Sequence, residues 1–180
     1  VDGSSQVTQH LISLGHKRIA YLGNSQSGRT TQDRLRGFQV AMAKANLDVP
    51  ESYIHHVDGG DPILGQKSIE YYTKLSPKPT AIVCFNDMLA IGVLKGCEIA
   101  GLRVPEDLSV TGFDNITYSA FTTPCLTTFD QPKLSIGQEA AQLLLDLLQA
   151  ENGLIPDTPN VKVLQGKLLV RGSTGKPAED

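Results

Sequence analysis

The chain has 180 residues, of which 40% are hydrophobic and 19% are charged, a composition that is ordinary for a soluble globular protein. This length allows one domain with a full core or two small lobes. The formal net charge is -3, whereas a stand-alone nucleic-acid binder usually carries a basic patch or stripe. We therefore expect no DNA binding by this chain alone.

Apolar periodicity and turn residues divide the chain into alternating helices and strands. In chain order, the pattern predicts helix 5–14, strand 18–22, helix 32–46, strand 53–57, helix 63–75, strand 80–85, helix 87–100, strand 108–113, β segment 125–129, helix 133–150 and one or two short strands within 161–170. We expect the tail from Gly175 to fray. The alternation predicts an α/β fold, a three-layer αβα arrangement around a parallel sheet.

Cysteine and histidine spacing gives no sign of a metal site or a disulfide framework. The residues concerned are Cys84, Cys97, Cys125, His10, His16, His55 and His56. We interpret the histidines as surface or turn residues. The odd number of cysteines favours a reducing compartment, and no apolar run reaches membrane-spanning length. We therefore expect a cytoplasmic protein with no metal, no cofactor and no membrane partner.

In an open α/β sheet, ligands bind beyond the carboxyl ends of the strands. This rule points to four loops, at 23–31, 58–62, 86–87 and 114–117. The charged and amide residues in these loops and at the adjoining helix starts are Arg29, Arg34, Asp58, Asp61, Asn86, Asp87 and Asp114. Carboxylates accept from hydroxyl groups, arginine donates in a fork and an amide does both. The mixture suits a small polyhydroxylated or heterocyclic ligand.

Several of these residues also have a purely local interpretation. Asp87 is equally well explained as a first-turn helix residue that the helix dipole favours, and Asn86 as the N-cap of the same helix. Asp58 and Asp61 are typical turn formers. The strand-end position gives ligand contact its strongest support at Arg34 and Asp114.

Residues 23–30 (GNSQSGRT) differ by one residue from a phosphate-binding P-loop and lie between a predicted strand and a predicted helix. The Asn86–Asp87 pair after an apolar strand also imitates a magnesium-binding aspartate. Against an NTPase, Arg29 stands where the P-loop lysine belongs, and an arginine fork does not replace that compact ammonium group. Because other catalytic signatures are also missing, we expect no enzyme activity; saturable ATP binding with magnesium would revive the NTPase alternative.

Several segments together resemble the LacI/GalR family of bacterial transcription regulators. They are HLISLGHKRIAYLG at 10–23, DRLRGFQVAMAKANL at 33–47, PTAIVCFNDMLAIGVLKGCEIAGLRVPEDLSVTGFDN at 79–115, TPCLTTFDQPKLSIGQEAAQLLLDLL at 123–148 and LLVRGST at 168–174. They occur in the family's order and cover nearly the whole chain. The run that ends in VPEDLSVTGFDN, followed by LTTFDQP, is highly specific.

The resemblance implies a two-lobed fold of the periplasmic-binding-protein-like I type. Residues 1–130 would form most of the C-terminal lobe, 131–160 a crossover helix that belongs to the N-terminal lobe, 161–175 returning strands and 176–180 a tail. The family's DNA-binding headpiece and most of its N-terminal lobe would precede residue 1. We therefore expect the apolar stripe of helix 133–150 to be exposed or covered by a neighbour.

Carried over residue by residue, the family's effector contacts fall on Arg34, Asn86 and Asp114, three positions that the strand-end rule also selects. The resemblance adds Arg29 and Thr30 from the loop after the first strand. It also implies a homodimer to which helix 87–100 contributes.

The resemblance predicts the effector-binding and dimerisation module of a ligand-responsive regulator, most simply a repressor. Its effector would be a sugar, a sugar phosphate or a nucleobase, and operator DNA would be a partner only through the headpiece. With one lobe absent, we expect weak or no effector binding by this chain. A periplasmic sugar-binding protein of the same fold is the main alternative, and the upstream coding sequence would distinguish the two.

Overall fold

The structure is a computed structural model that describes residues 2–149 and 161–178. Its helices are α1 Asp2–Ser13, α2 Arg29–Lys44, α3 Pro62–Thr73, α4 Asp87–Ile99 and α5 Lys133–Gln149. Its strands are β1 Ile19–Asn24, β2 Ile54–Val57, β3 Ala81–Cys84, β4 Ser109–Phe113, β5 Thr127–Asp130 and β6 Lys167–Leu169. Short 3-10 turns cover Glu51–Tyr53 and Thr117–Ala120. The predicted alternation of helices and strands is confirmed.

The six strands form one sheet in the order β2-β1-β3-β4-β5-β6. The four pairings from β2 to β5 are parallel. From β1 the chain moves first outward to β2 and then back across to β3. The strand order therefore reverses between β1 and β3, and the carboxyl ends of strands at such a reversal form the usual ligand crevice of an open α/β sheet.

Successive side chains of a strand point to opposite faces, and β1 shows how this builds two cores. Ala20 and Leu22 pack in one cluster with residues of α3 and α4. Ile19 and Tyr21 pack in the other with residues of α1 and α2. Every residue of β1 is buried, as expected of a strand that helices cover on both sides. The three-layer αβα prediction is confirmed.

The described residues divide into two compact units, one containing those up to Asp130 and those from Leu168 onward, the other containing those from Gln131 to Lys167. No residue of α5, in the second unit, is buried. Its predicted apolar stripe is exposed, with Leu134 at 76% and Leu148 at 74%. Residues 150–160 of the predicted crossover and 179–180 of the predicted tail lie outside the described residues. The assignment of the units to lobes stays a prediction.

The surface interpretation of His16 is wrong, and so is the frayed tail. His16 directly follows the turn at residues 14–15 but is only 1% exposed. One of its ring nitrogens lies 2.9 Å from Thr80 Oγ1, and the other lies 3.1 Å from Ser109 Oγ and 2.9 Å from the Gly175 carbonyl oxygen. The tail is not frayed at Gly175, because its backbone nitrogen also donates to Ser109 Oγ. These partners lie far away in sequence, so no local pattern indicates them.

The predicted position of Arg29 and Thr30 is also wrong. We placed both in the loop after β1, but α2 begins at Arg29. Gly28 occupies the N-cap with φ 53° and makes no side-chain capping bond. Because the helix starts from a glycine in the left-handed region, the sequence carries no Ser, Thr, Asp or Asn signal at this boundary. In the described part of the chain, no helix is long and apolar enough to span a membrane.

Candidate ligand-binding site

Arg34, in the second turn of α2, reaches the carboxyl ends of β3 and β4. Its Nη2 donates to Asp114 Oδ1 at 2.9 Å, and its Nη1 donates to the carbonyl of Phe85. The guanidinium lies 4.4 Å from the Phe85 ring centroid and 4.0 Å from that of Phe113. Two aromatic faces and two acceptors thus hold one planar cation in a fixed orientation.

The ion pair between Arg34 and Asp114 is partly shielded from water. The side chain of Arg34 is 12% exposed and that of Asp114 is 28% exposed. Such burial makes charge-assisted hydrogen bonds stronger than at an open surface. Solvent still reaches the carboxylate. The arrangement can present an acceptor and a fixed donor side by side to a hydroxyl-bearing ligand.

The backbone that carries Asp114 adopts an unusual conformation. Asp114 has φ 114° and Asn115 has φ 48°, and two successive left-handed non-glycine residues are energetically unfavourable unless their surroundings hold them. Asn115 is held by its side chain, which donates to Asp130 Oδ1 at 3.1 Å and accepts from Arg171 Nη2 at 2.8 Å. The orientation of Asp114 is therefore built into the fold.

Asn86 follows β3 and begins α4. Its side-chain oxygen accepts from the backbone nitrogen of Leu89 at 2.8 Å, so the N-cap interpretation is confirmed. Its amide nitrogen donates to the Gly60 carbonyl at 3.2 Å. A Cβ at Gly60 would stand 2.8 Å from Asn86 Nδ2 and 3.2 Å from Asn24 Nδ2. The loops after β1, β2 and β3 therefore meet around a glycine.

The segment that imitates a P-loop closes on itself. Asn24 Oδ1 accepts from the Gln26 backbone nitrogen at 2.9 Å, and its Nδ2 donates to Ser27 Oγ at 2.7 Å. A phosphate cradle instead needs its backbone N–H groups turned towards the ligand. The geometry thus disfavours the NTPase alternative.

Arg29 and Thr30 are not joined to the other predicted contacts. The Arg29 side chain is 92% exposed and lies 3.7 Å from Asp33. The backbone nitrogen of Thr30 donates to the Ser27 carbonyl, and its side chain is exposed. Both residues occupy the first turn of α2, one turn before Arg34. Their contact with a ligand stays a prediction.

The two aspartates of the loop after β2 act as turn formers. Asp58 Oδ1 accepts from Ser25 Oγ at 3.1 Å and from Gln26 Nε2 at 2.8 Å. Asp61 caps α3 through the backbone nitrogens of its first residues. Both carboxylates therefore shape the loops that border the site. Within residues 2–149 and 161–178, no group of His, Cys, Asp and Glu could hold a metal ion.

The sequence analysis did not predict the two aromatic rings that contact Arg34, those of Phe85 and Phe113. Phe85 and Phe113 each stand immediately before a predicted contact, Asn86 and Asp114. The strand-end rule could have found them, since it selects the last strand residue as readily as the first loop residue. It also missed Arg171, which reaches back from beyond β6 and donates to Asn115 at 2.8 Å.

Residues 8–174 match a periplasmic binding protein-like domain. The HTH-type transcriptional repressor PurR of Aliivibrio salmonicida (strain LFI1238) is 37% identical over 148 residues, which are 82% of this chain and 44% of that protein. PurR of Escherichia coli O1:K1 / APEC is 38% identical over 145 residues, with 81% and 42% covered. The chain therefore spans less than half the length of these relatives.

Solved structures of similar fold are also transcription regulators. A LacI-family sugar-binding transcriptional regulator from Escherichia coli complexed with phosphate has a TM-score of 0.86 at 32% identity, with 98% of this chain and 61% of that chain covered. A LacI-family regulator from Enterococcus faecium with bound ribose gives 0.83 at 30%, with 97% and 62% covered. The regulator CelR in complex with cellobiose gives 0.86 at 30%, with 95% and 51% covered. The chain belongs to the periplasmic binding protein-like domain family, and within it to the LacI/GalR-type transcription regulators.

Proposed function

We propose that this chain is the effector-binding module of a ligand-responsive transcription repressor that senses a sugar or another small polar metabolite. The observation that carries the proposal is the Arg34–Asp114 pair at the carboxyl ends of the strands. It offers a fixed fork of donors beside a solvent-accessible acceptor, which suits a polyhydroxylated ring. The bound ribose and cellobiose of two structural neighbours support the same class of ligand.

The proposed mechanism has two states. A small effector binds at the carboxyl ends of the strands and favours one arrangement of the regulator over another. It can do so only by the difference in its affinity for the two arrangements. Operator binding belongs to a headpiece outside this chain. We place the regulator in the cytoplasm and assign it no catalytic step, in keeping with relatives that are named as transcription repressors.

We also propose a homodimer to which α4 contributes. Two large apolar side chains of this helix are exposed, Met88 at 37% and Ile99 at 64%. Burial of such side chains against a second copy is a common source of association energy. Replacing Ile99 with glutamate should shift the full gene product from dimer to monomer in analytical ultracentrifugation. An unchanged sedimentation coefficient would remove α4 from the interface.

The experiment that tests the function is a thermal-shift panel on the full product of the gene. The probes are D-ribose, cellobiose, inorganic phosphate, hypoxanthine and magnesium ATP. A ligand at a hundred times its Kd stabilises the folded state by about 2.7 kcal/mol, which a melting curve readily detects. We expect at least one sugar to stabilise the protein and Arg34→Ala to abolish the shift. Stabilisation by magnesium ATP alone would overturn the proposal in favour of a nucleotide-binding protein.

A further inference from the structure

Asp87, the first residue of α4, is 0% exposed although it carries a carboxylate. Its Oδ2 accepts from the backbone nitrogen of Ile116 at 2.8 Å, and its Oδ1 accepts from Thr128 Oγ1 at 2.5 Å. Neither partner belongs to α4. An acid that only interacts with a helix dipole can stay in water, as does Asp2 in the first turn of α1. The local explanation therefore does not account for Asp87.

The surroundings of Asp87 are built closely around its carboxylate. Burial raises the pKa of Asp87, while the hydrogen bonds from Thr128 and Ile116 act in the opposite direction. The backbone of Gly112 approaches the carboxylate so closely that a Cβ at this position would collide with Oδ1. A buried carboxylate is unfavourable unless its oxygens are satisfied. Here each oxygen has a donor, and each donor comes from a different element.

The groups that Asp87 binds lie directly beside the ligand site. Ile116 is two residues after Asp114. Thr128 Oγ1, besides donating to Asp87, accepts from the backbone nitrogen of Asn115 at 3.3 Å. Asp87 and Thr128 together thus hold the two N–H groups that follow Asp114, in the segment where φ is positive at 114 and 115. These two acceptors, together with the side-chain bonds of Asn115 to Asp130 and Arg171, hold the segment in its otherwise unfavourable conformation.

We infer that Asp87 and Thr128 are positioning residues that fix Asp114 in the orientation in which it pairs with Arg34 and meets the effector. The inference rests on the proposed function for the role of Asp114. Neither residue needs to touch the ligand. Because Asp87 is the first residue of α4, the same hydrogen bonds tie the effector site to the helix that we assign to the dimer interface.

The first test does not depend on the identity of the ligand. It measures amide hydrogen exchange by NMR in the 180-residue chain after Asp87→Asn, which keeps the size of the side chain but replaces one acceptor with a donor. Loss of a hydrogen bond to a charged group should speed exchange at Ile116 about tenfold or more. Exchange in β1, at Tyr21 and Leu22, should change far less. Asp2→Asn, the matched first-turn control, should leave all of these rates unchanged.

A second pair of variants keeps the inference falsifiable if Asp87→Asn fails to fold. Thr128→Val removes the hydroxyl at nearly constant volume and should speed exchange at Asn115 and Ile116, whereas Thr128→Ser should restore the wild-type rates. Thr111→Val is the control, because this buried threonine on the neighbouring strand makes only a 3.5 Å bond. Equal acceleration in β1 and at Ile116, or no rescue by serine, would mean a purely structural role and overturn the inference.

The binding test separates this inference from the proposed function. Titration of D-ribose and cellobiose into the full gene product should show an affinity about tenfold lower in Thr128→Val and near-normal affinity in Thr128→Ser. Full affinity in Thr128→Val would overturn the positioning role. If the wild type binds neither sugar nor any other probe of the panel, the proposed function fails. The exchange rates at Asn115 and Ile116 still decide whether Asp87 and Thr128 position the segment.

Discussion

The two ends of the central sheet both carry polar side chains, but the two sets are built differently. At the amino ends of the strands, His16 is 1% exposed and its neutral partners are contributed by the fold, one of them the Gly175 carbonyl 159 positions away. At the carboxyl ends, Arg34 and Asp114 carry charges, and Asp114 remains 28% exposed.

The residues that stabilise the domain and the residues that can bind a ligand thus lie at opposite ends of the sheet. Buried polar groups that hydrogen-bond to one another stabilise the fold, and a solute cannot reach them. Charged groups that keep part of their surface open to solvent, as Asp114 does, can in addition bind a solute. Substitutions at the amino end should therefore lower stability without affecting binding, whereas conservative substitutions at the carboxyl end should weaken binding with a smaller loss of stability.

The largest expected effect is at the amino end. His16→Ala should lower the free energy of unfolding by about 3 kcal/mol, because it leaves a cavity and removes the hydrogen bonds that the ring makes with Thr80, Ser109 and the Gly175 carbonyl. Urea denaturation measures this loss. The control is His10→Ala, which removes a half-buried ring that lies 3.0 Å from Thr174 Oγ1 and should lower stability by about 1 kcal/mol. Equal losses would contradict the special role of His16.

The next effect is at the carboxyl end. Arg34→Lys keeps the charge but loses the planar fork that donates to Phe85 and Asp114 from two separate nitrogens and stacks between two rings. We expect it to weaken sugar binding by the full gene product about 10- to 100-fold while lowering stability by only about 1 kcal/mol. Calorimetric titration and urea denaturation provide the two values. Arg36→Lys, an exposed neighbour on the same helix, should change neither.

Lowering the pH should reduce the contribution that His16, at the amino ends of the strands, makes to the free energy of unfolding. Burial lowers the pKa of His16 below its usual 6.5, although the bond to Gly175 opposes this. The unfolded chain therefore takes up a proton first as the pH falls, so the stability is fully present above 6.5 and is lost as the pH drops towards the folded-state pKa. Urea denaturation across this range should show a smaller pH dependence in His16→Gln than in the wild type. Identical slopes would mean that His16 does not titrate as described.

Arg29→Ala should have the smallest effect on stability and on sugar binding, and it tests how far the ligand site extends along α2. Because its side chain is 92% exposed and its partner Asp33 lies 3.7 Å away, Arg29→Ala should leave the urea midpoint unchanged. We expect Arg29→Ala to raise the Kd for sugar by a smaller factor than Arg34→Lys does, which would place Arg29 at the edge of the ligand site. A loss as large as that of Arg34→Lys would place it among the main contacts.

Local sequence patterns are sufficient to predict the sheet and to select the three main candidate contacts. The spacing of apolar residues indicates the layers, and the strand-end rule selects Arg34, Asn86 and Asp114 before any family is considered. Ligand contact itself stays a prediction at each of them. The structure adds that Arg34 and Asp114 form a direct pair and that Asn86 caps α4.

What the sequence could not indicate depends on contacts between distant segments. Asp87 and Asp2 are both acidic residues in the first turn of a helix, so nothing in the sequence distinguishes the buried acid from the exposed one. His16 is buried among Thr80, Ser109 and Gly175, all of which are distant from it in sequence. The start of α2 at Arg29 was missed because Gly28 supplies the boundary by its backbone conformation and not by a capping side chain.

The most direct test of the central claim is a ¹H–¹⁵N NMR titration of the 180-residue chain with D-ribose and cellobiose, which detects even weak binding. We predict that the shifted amides cluster at the carboxyl ends of the strands, at Asn86, Asp114 and Asn115, and that Arg34→Lys abolishes the shifts. Shifts that instead cluster around His16 and Gly175, or that persist in Arg34→Lys, would contradict the assignment of this edge of the sheet as the effector site.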